Sequence, residues 1–238
     1  PSAGELSDWA EQIIPGSYHT FNSPSEPADF MMANQEAVIS AGHAIGVDLS
    51  KLDFSKFPGM ERRQSLLFES EKLTILEDYA HHPVEIRALL SSRRRQLPDH
   101  WMHVLFQPHR FTRTKALAAS FAEELSEVDD LQFMPTYGAF EKYDASGGSE
   151  SLIGNLPPRL RKNAKVHENF LEFYRNYSDA ETASKSTQML FVGAGSIDRW
   201  AHGMAAMSQA GGNKLEAFCH YLKNRLSSPC NLREHEAP

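Results

Sequence analysis

From residue 65 onward, short apolar runs alternate with amphipathic stretches, a rhythm that predicts strand and then helix several times over. Residues 65–68 and 73–76 are apolar and are separated by Glu69, Ser70, Glu71 and Lys72, the pattern of a hairpin. Pro83 suits the first position of a helix, where its missing amide leaves nothing unpaired, and His82 sits beside the cap. Val84, Leu89 and Leu90 line that helix, which ends near Leu97 and Pro98. A strand over 103–106 precedes a helix over 114–125, with Leu117, Phe121 and Leu125 one turn apart. A strand over 131–134 leads to Thr136, Tyr137 and Gly138, and the Gly-, Ser- and Asp-rich stretch 138–150 reads as a flexible loop. Lys165 and Val166 suggest a short strand, 170–177 a helix, and 189–192 a strongly apolar strand followed by a glycine turn and a helix. Four or so strands alternating with helices imply an α/β fold: a mainly parallel sheet with helices on both faces.

The flanking segments differ. Residues 1–32 carry four prolines among Ser, Gly and Asn and read as irregular, with one helical turn over 6–13. Ala33, Ala37, Val38, Ala41 and Ile45 fall at helical spacing, with Gly46 as the stop. A loop with a second helical turn spans 49–57, and Pro58-Gly59 breaks the chain before Glu61-Arg62-Arg63. An amphipathic helix over 214–226 and a loose tail close the chain. The expected organisation is therefore 1–58, 59–210 and 211–238.

Bulk properties narrow the function. With 238 residues and a formal charge of −7, the chain has no overall basic field to draw in a nucleic-acid backbone. Cys219 and Cys230 have neither metal-ligand nor redox spacing, so a reduced, cytoplasmic setting is the simpler expectation. No apolar run is long enough to span a bilayer, and the first residues lack a signal pattern, so no membrane partner is expected. The chain begins at Pro1, which fits a processed product or a piece of something longer.

Two segments carry the chemistry. The run Asp78-Tyr79-Ala80-His81-His82 follows one apolar strand, and His109-Arg110-Phe111-Thr112-Arg113 follows the next. In a parallel sheet, loops at the carboxyl ends of neighbouring strands are where ligands bind. An aspartate, three histidines and two arginines then converge on one edge. Alone, Asp78 reads as readily as a structural residue, capping the helix at Pro83 or pairing with an arginine, as it does as a functional one. Adjacent histidines in an extended loop point apart, which favours one toward a ligand and one in the wall. Arg110 and Arg113 flank a short turn, with Thr112 and Thr114 available as caps, and a guanidinium fork grips a carboxylate or phosphate in two places. The histidine spacing matches no familiar zinc pattern, so no metal site of protein histidines is expected. Gly193-Ala194-Gly195 resembles a dinucleotide fingerprint but has Asp198 where the third glycine belongs, which leaves a tight strand-to-helix turn. No Gly-x-x-x-x-Gly-Lys-Ser/Thr loop occurs, so these residues have no evident means of holding ATP phosphates unaided.

The two loops resemble the Mur ligase family. Its third domain carries Asp-Asp-Tyr-(Ala/Gly)-His-His-Pro-Thr-Glu-(Ile/Val) and Phe-Gln-Pro-His-Arg-(Tyr/Phe)-(Ser/Thr)-Arg-Thr. Here these read Glu77 through Ile86 and Phe106 through Thr114. Gly59-Met60-Glu61-Arg62-Arg63 is similar to the family's junction motif, Phe121-Ala122 to Asp129 to the helix after the arginine loop, and Val192 through Ile197 to its final strand and turn. Ala33-Asn34-Gln35-Glu36-Ala37 is similar to the last helix of the central ATP-binding domain.

The resemblance implies a Rossmann-like C-terminal domain, complete, preceded by a helical remnant of the central domain. It implies an ATP- and Mg2+-dependent ligase joining L-alanine to UDP-N-acetylmuramate through an acyl phosphate, acting with domains outside this chain and inactive without them. By position, Asn34, Arg63 and Asp78 would contact ATP. Tyr79, His81, His109, Arg110 and Arg113 would lie on the alanine and muramate-carboxylate side, with Asp78 and His81 catalytic. Two alternatives stand beside it: a non-catalytic module of the same fold, and a recycling ligase that attaches a murein peptide to UDP-N-acetylmuramate. Glu77, Val84 and the stretch Tyr137-Gly138-Ala139-Phe140-Glu141 depart from the family pattern, and the residues from Asn213 onward have no counterpart.

Overall fold

A computed structural model of the chain describes residues 30–49, 52–53, 60–177 and 185–210, and the chain divides into two units, Pro1–Pro58 and Gly59–Pro238. The helical turn over 6–13, the helix over 214–226, both cysteines and Gly59 lie outside the described residues, as does most of 49–57. In the first unit, helix α1 spans Phe30–Ala44 and stops at Gly46, whose φ of 78° suits a residue without Cβ. Asn34 is exposed on this helix.

The second unit is built on five strands. β1 (Ser65–Glu69) and β2 (Leu73–Asp78) form the expected antiparallel hairpin, with a bulge between Leu66 and Phe68. Then come α2 (Pro83–Gln96), β3 (Trp101–Phe106), α3 (Phe111–Ala116), α4 (Ala118–Leu125) and β4 (Asp130–Phe133). A 3-10 turn over Ala145–Gly147, α5 (Ser149–Asn155), α6 (Pro158–Arg161), α7 (Phe170–Tyr177), β5 (Thr187–Val192) and α8 (Ile197–Gln209) complete it. The sheet order is β1-β2-β5-β3-β4, and every pair except the hairpin is parallel.

That order corrects one expectation. β2 and β3 are not neighbours, because β5 pairs with both. The register still ends the strands level: Asp78 and Phe106 both face Val192, and Phe106 faces Phe133. Four trailing segments therefore leave the sheet at one height, with the glycine turn after β5 in the middle.

Alternation along the strands makes two apolar layers. Leu76, Val104, Phe106, Phe133, Leu190 and Val192 pack with Ile86, Leu89, Phe121 and Leu125 from α2 and α4. Leu73, Ile75, Leu105, Met189 and Phe191 pack on the other face with Phe173 of α7 and with Ile197, Ala201 and Met204 of α8. Fully burying one such side chain is worth about 1.5–3 kcal/mol, so these two layers hold the loops to a rigid base.

Three more expectations are revised. The helix after the arginine loop begins at Phe111, not at 114, and breaks at Leu117 (φ −112°, ψ 18°). Val84 does not line α2 inwardly but is 55% exposed, whereas Leu89 and Leu90 are buried. The stretch 138–150 is not a loose loop. Asp144 caps the 3-10 turn by accepting from the Ser146 amide, and Ser149 Oγ donates to the Met134 carbonyl at 2.7 Å, so its polar residues are spent on internal bonds. Val166 makes only a single parallel bridge, to Phe133.

Candidate functional site

The site is assembled where β2, β5, β3 and β4 end. Asp78, buried at the end of β2, accepts from the Ala80 amide at 2.7 Å and the Gln64 amide at 2.9 Å. It thus ties the junction segment to the histidine turn. Burial pushes its carboxyl up from the usual aspartate range, while the two amides and Arg63 oppose that shift. Glu77 points to the opposite face, 3.6 Å from His202 on α8.

The histidine pair divides its work. His82 caps α2, accepting from the Val84 amide, and Glu85 reaches back to the amides of His81 and His82 at 2.9 and 3.2 Å, a reciprocal capping box. His81 is half-buried, and its Nδ1 lies 3.0 Å from the Tyr79 carbonyl. A carbonyl only accepts, so Nδ1 is the donor in that bond.

Across the glycine turn, the His109 ring is 5.8 Å from that of His81 and stacks on Tyr137 at 5.4 Å. Burial, followed by the charges of His81, Arg113 and Arg110, holds its pKa below the usual histidine value. Its Nδ1 is buried without a hydrogen-bond partner among the described residues. Arg110 has a φ of 72° and an exposed side chain, and Arg113 is half-buried with an Nη1 that has no partner among the described residues. Arg113 Nη1 and His109 Nδ1 are thus buried polar atoms whose hydrogen bonds are unmade among the described residues.

The expected threonine caps are not found. Thr114 Oγ1 donates to the Arg110 carbonyl at 2.8 Å, and Thr112 is itself held by Glu141 from the β4 loop. Glu141 accepts from the Thr112 amide at 3.0 Å and its hydroxyl at 2.6 Å.

In the sequence Arg62 stood out only as part of a basic junction motif and Gln107 only as part of the arginine-loop motif, and both build the site. Arg62 Nη2 donates to the carbonyls of Gly193 and Gly195, each at 3.0 Å, while its guanidinium lies 4.9 Å above the Tyr79 ring. The buried Gln107 accepts from the Ile197 amide at 3.0 Å and fills the space beside the glycine turn. A Cβ on Gly195 would meet Gln107 Oε1 at 2.5 Å, so the turn needs residues without side chains for a packing reason. The two glycines and the adjoining arginine were the signal available.

Arg63 is exposed with its guanidinium 5.6 Å from the Tyr79 ring, a position that suits a phosphate. Asn34 belongs to the first unit. No group of three His, Cys, Asp or Glu among the described residues is arranged to hold a metal ion. Asp78, the buried carboxylate of the cluster, accepts one backbone amide on each of its oxygens.

Comparisons with known proteins bear on the family. The family described as "Mur ligase, glutamate ligase domain" matches residues 62–195. The UDP-N-acetylmuramate–L-alanine ligase of Cytophaga hutchinsonii is 32% identical over 176 residues, covering 73% of this chain and 36% of that protein. The enzyme of the same name from Bifidobacterium longum subsp. infantis is 43% identical over 113 residues, 46% of this chain and 22% of the relative. Among solved structures, the UDP-N-acetylmuramate–alanine ligase of Thermotoga maritima superposes with a TM-score of 0.58 at 29% identity, covering 76% of this chain and 38% of that one. A murein peptide ligase from Psychrobacter arcticus, at 19% identity and a TM-score of 0.51, shares the fold. The chain therefore spans little more than a third of the length of the Cytophaga and Thermotoga relatives. No described helix is long and apolar enough to cross a membrane. With the family match covering more than half of its residues, the chain belongs to the Mur ligase family.

Proposed function

We propose that this chain supplies the amino-acid-binding domain of an ATP-dependent ligase that joins L-alanine to UDP-N-acetylmuramate in peptidoglycan precursor synthesis. The observation that carries the reading is Arg113: a half-buried guanidinium with an unpartnered Nη1, three residues after Arg110 and close enough for its charge to act on His109. An amino-acid carboxylate satisfies that nitrogen, and a guanidinium fork fixes its orientation as well as its charge. His109, held neutral by burial and by positive neighbours, suits the edge of a site where an ammonium must become a free amine. The two arginines also stabilise negative charge as it develops on the acyl carbon's oxygen.

ATP, when bound, supplies the phosphoryl group that activates the muramate carboxylate. Arg63, beside Tyr79, is the residue of this unit placed to meet a phosphate, and Asn34 on α1 is the candidate for the adenine. The segment before Pro58 is read as the end of the ATP-binding domain, with the phosphate loop and the divalent cation held by parts of the enzyme outside this chain. Without them the chain binds but does not turn over. The need for ATP places the reaction in the cytoplasm.

The test is phosphate release by the full-length protein supplied with ATP, UDP-N-acetylmuramate and a panel of amino acids and murein peptides. Release that depends on L-alanine supports the reading. Release that depends on a murein peptide, or on no amino acid, overturns it.

A further inference from the structure

Among the described residues, the loop after β4 contains two consecutive residues with Cβ atoms in the left-handed region, Ala139 (φ 47°) and Phe140 (φ 70°). Side chains disfavour that conformation, so surrounding bonds must hold it. The holding residue is Glu141, whose amide donates to the Gly138 carbonyl at 2.9 Å. Its carboxylate reaches the first turn of α3, where it accepts from the Thr112 amide and hydroxyl. Thr112 lies two residues after Arg110, itself at a φ of 72°. The backbone stitches the same two segments together: the Arg110 amide donates to the Tyr137 carbonyl at 2.7 Å, and the Tyr137 amide to Pro108 at 2.8 Å.

We infer that Glu141 is a positioning residue: it sets the arginine loop, so that Arg113 and Arg110 meet the amino-acid carboxylate in one fixed geometry. The inference rests on the alanine-ligase reading. Two hydrogen bonds accepted by one carboxylate tie the start of α3 to the strained turn beside it. Arg113 lies one residue after Thr112, so a shift of the helix start moves its guanidinium directly. Small misplacements of a gripping group cost heavily in rate, because the bound geometry must be near attack.

The experiment uses the full-length protein and two variants. In Glu141→Gln the side-chain oxygen still accepts from the Thr112 amide, and the new amide donates to the Thr112 hydroxyl, so the geometry stays while the charge goes. In Glu141→Ala both are lost. Steady-state phosphate release gives separate KM values for L-alanine and ATP, and hydrogen-exchange mass spectrometry reads the peptide over 109–116. We expect Glu141→Ala to raise the alanine KM at least tenfold, leave the ATP KM within twofold and speed exchange over 109–116. Glu141→Gln should stay within threefold of the parent. An alanine KM within twofold in Glu141→Ala overturns the inference. So does an equal rise in the ATP KM, which means general damage, or a Glu141→Gln as impaired as Glu141→Ala, which means charge alone. If the parent enzyme shows no response to L-alanine, it is the functional reading that fails. The positioning claim then stands or falls on whether exchange over 109–116 quickens in Glu141→Ala.

Discussion

Replacing Arg113 with methionine should make the protein more stable and a worse ligase at once. Arg113 is half-buried and its Nη1 meets no acceptor among the described residues. A buried donor left without a partner costs about 1–3 kcal/mol. Because much of this side chain still reaches solvent, the lower end applies, about 1 kcal/mol. Methionine keeps the length and the apolar packing of the stem and removes the orphaned group. For a unit of this size, 1 kcal/mol corresponds to about 2–4 °C in Tm, so a rise of that order is expected in a thermal melt. Removing the partner of a buried, charge-assisted contact to a ligand costs about 2–5 kcal/mol. That corresponds to a roughly thirty- to four-thousand-fold higher alanine requirement, with ATP dependence unchanged. Arg110→Met is the control: its side chain is exposed, so Tm should not rise. A fall in Tm for Arg113→Met would show that the guanidinium has a structural partner after all. An unchanged alanine dependence would remove it from the carboxylate site.

Arg62→Ala removes two hydrogen bonds to the carbonyls of Gly193 and Gly195 and should cost about 2 kcal/mol, read as a lower urea midpoint; a loss under about 0.5 kcal/mol denies Arg62 its bracing role. Gly147→Ala places a Cβ 2.1 Å from the Phe111 carbonyl oxygen, a backbone atom that moves only with the arginine loop. It should destabilise by about 1–3 kcal/mol and raise the alanine KM, and wild-type behaviour on both counts would contradict that packing. Stability should also fall as the pH drops from 7 toward 5. His167 is fully buried, and burial holds its pKa below the ordinary 6.5; His109 shifts the same way. A histidine kept neutral in the fold stabilises above its unfolded value, and that contribution drains away as pH falls below 6.5 toward the folded value. Asp130, held below 3.8 in the fold, adds a similar loss only at still lower pH, while the raised carboxyl of Asp78 works in the opposite direction. His167→Gln should flatten the slope of Tm between pH 7 and 5, and an undiminished slope in that variant would refute the assignment.

Periodicity carried most of the second unit. The hairpin, the helix at Pro83, α7 and the four parallel strands all stand near their expected places, because period-2 and period-3.6 apolar patterns report burial directly. Strand order was not legible. Nothing in an apolar run says which strand lies beside it, and β5, last in the chain, inserts between β2 and β3. The stretch 138–150 was misread for a related reason. Its Glu, Asp and Ser residues look solvated in composition, yet Glu141, Asp144 and Ser149 each turn back to bond backbone groups. Glu124 shows the same effect on α4, buried and paired with Arg87 of α2.

The candidate residues were legible because their types are costly to place at the end of buried strands without a reason. What the sequence does not convey is how the nearby acids are already occupied. Asp78 accepts from the amides of Gln64 and Ala80. Glu85 takes those of His81 and His82, and Glu141 holds the start of α3. A neutral amide leaves a carboxylate its charge but fixes where it points, so these bonds shape the turns that carry the histidines and arginines without discharging the acids. Asp78 still feels Arg63, and Glu141 still feels Arg110. Among the described residues no hydrogen bond reaches Arg113 Nη1, and that nitrogen is the part of the cluster these backbone-bound acids leave unserved.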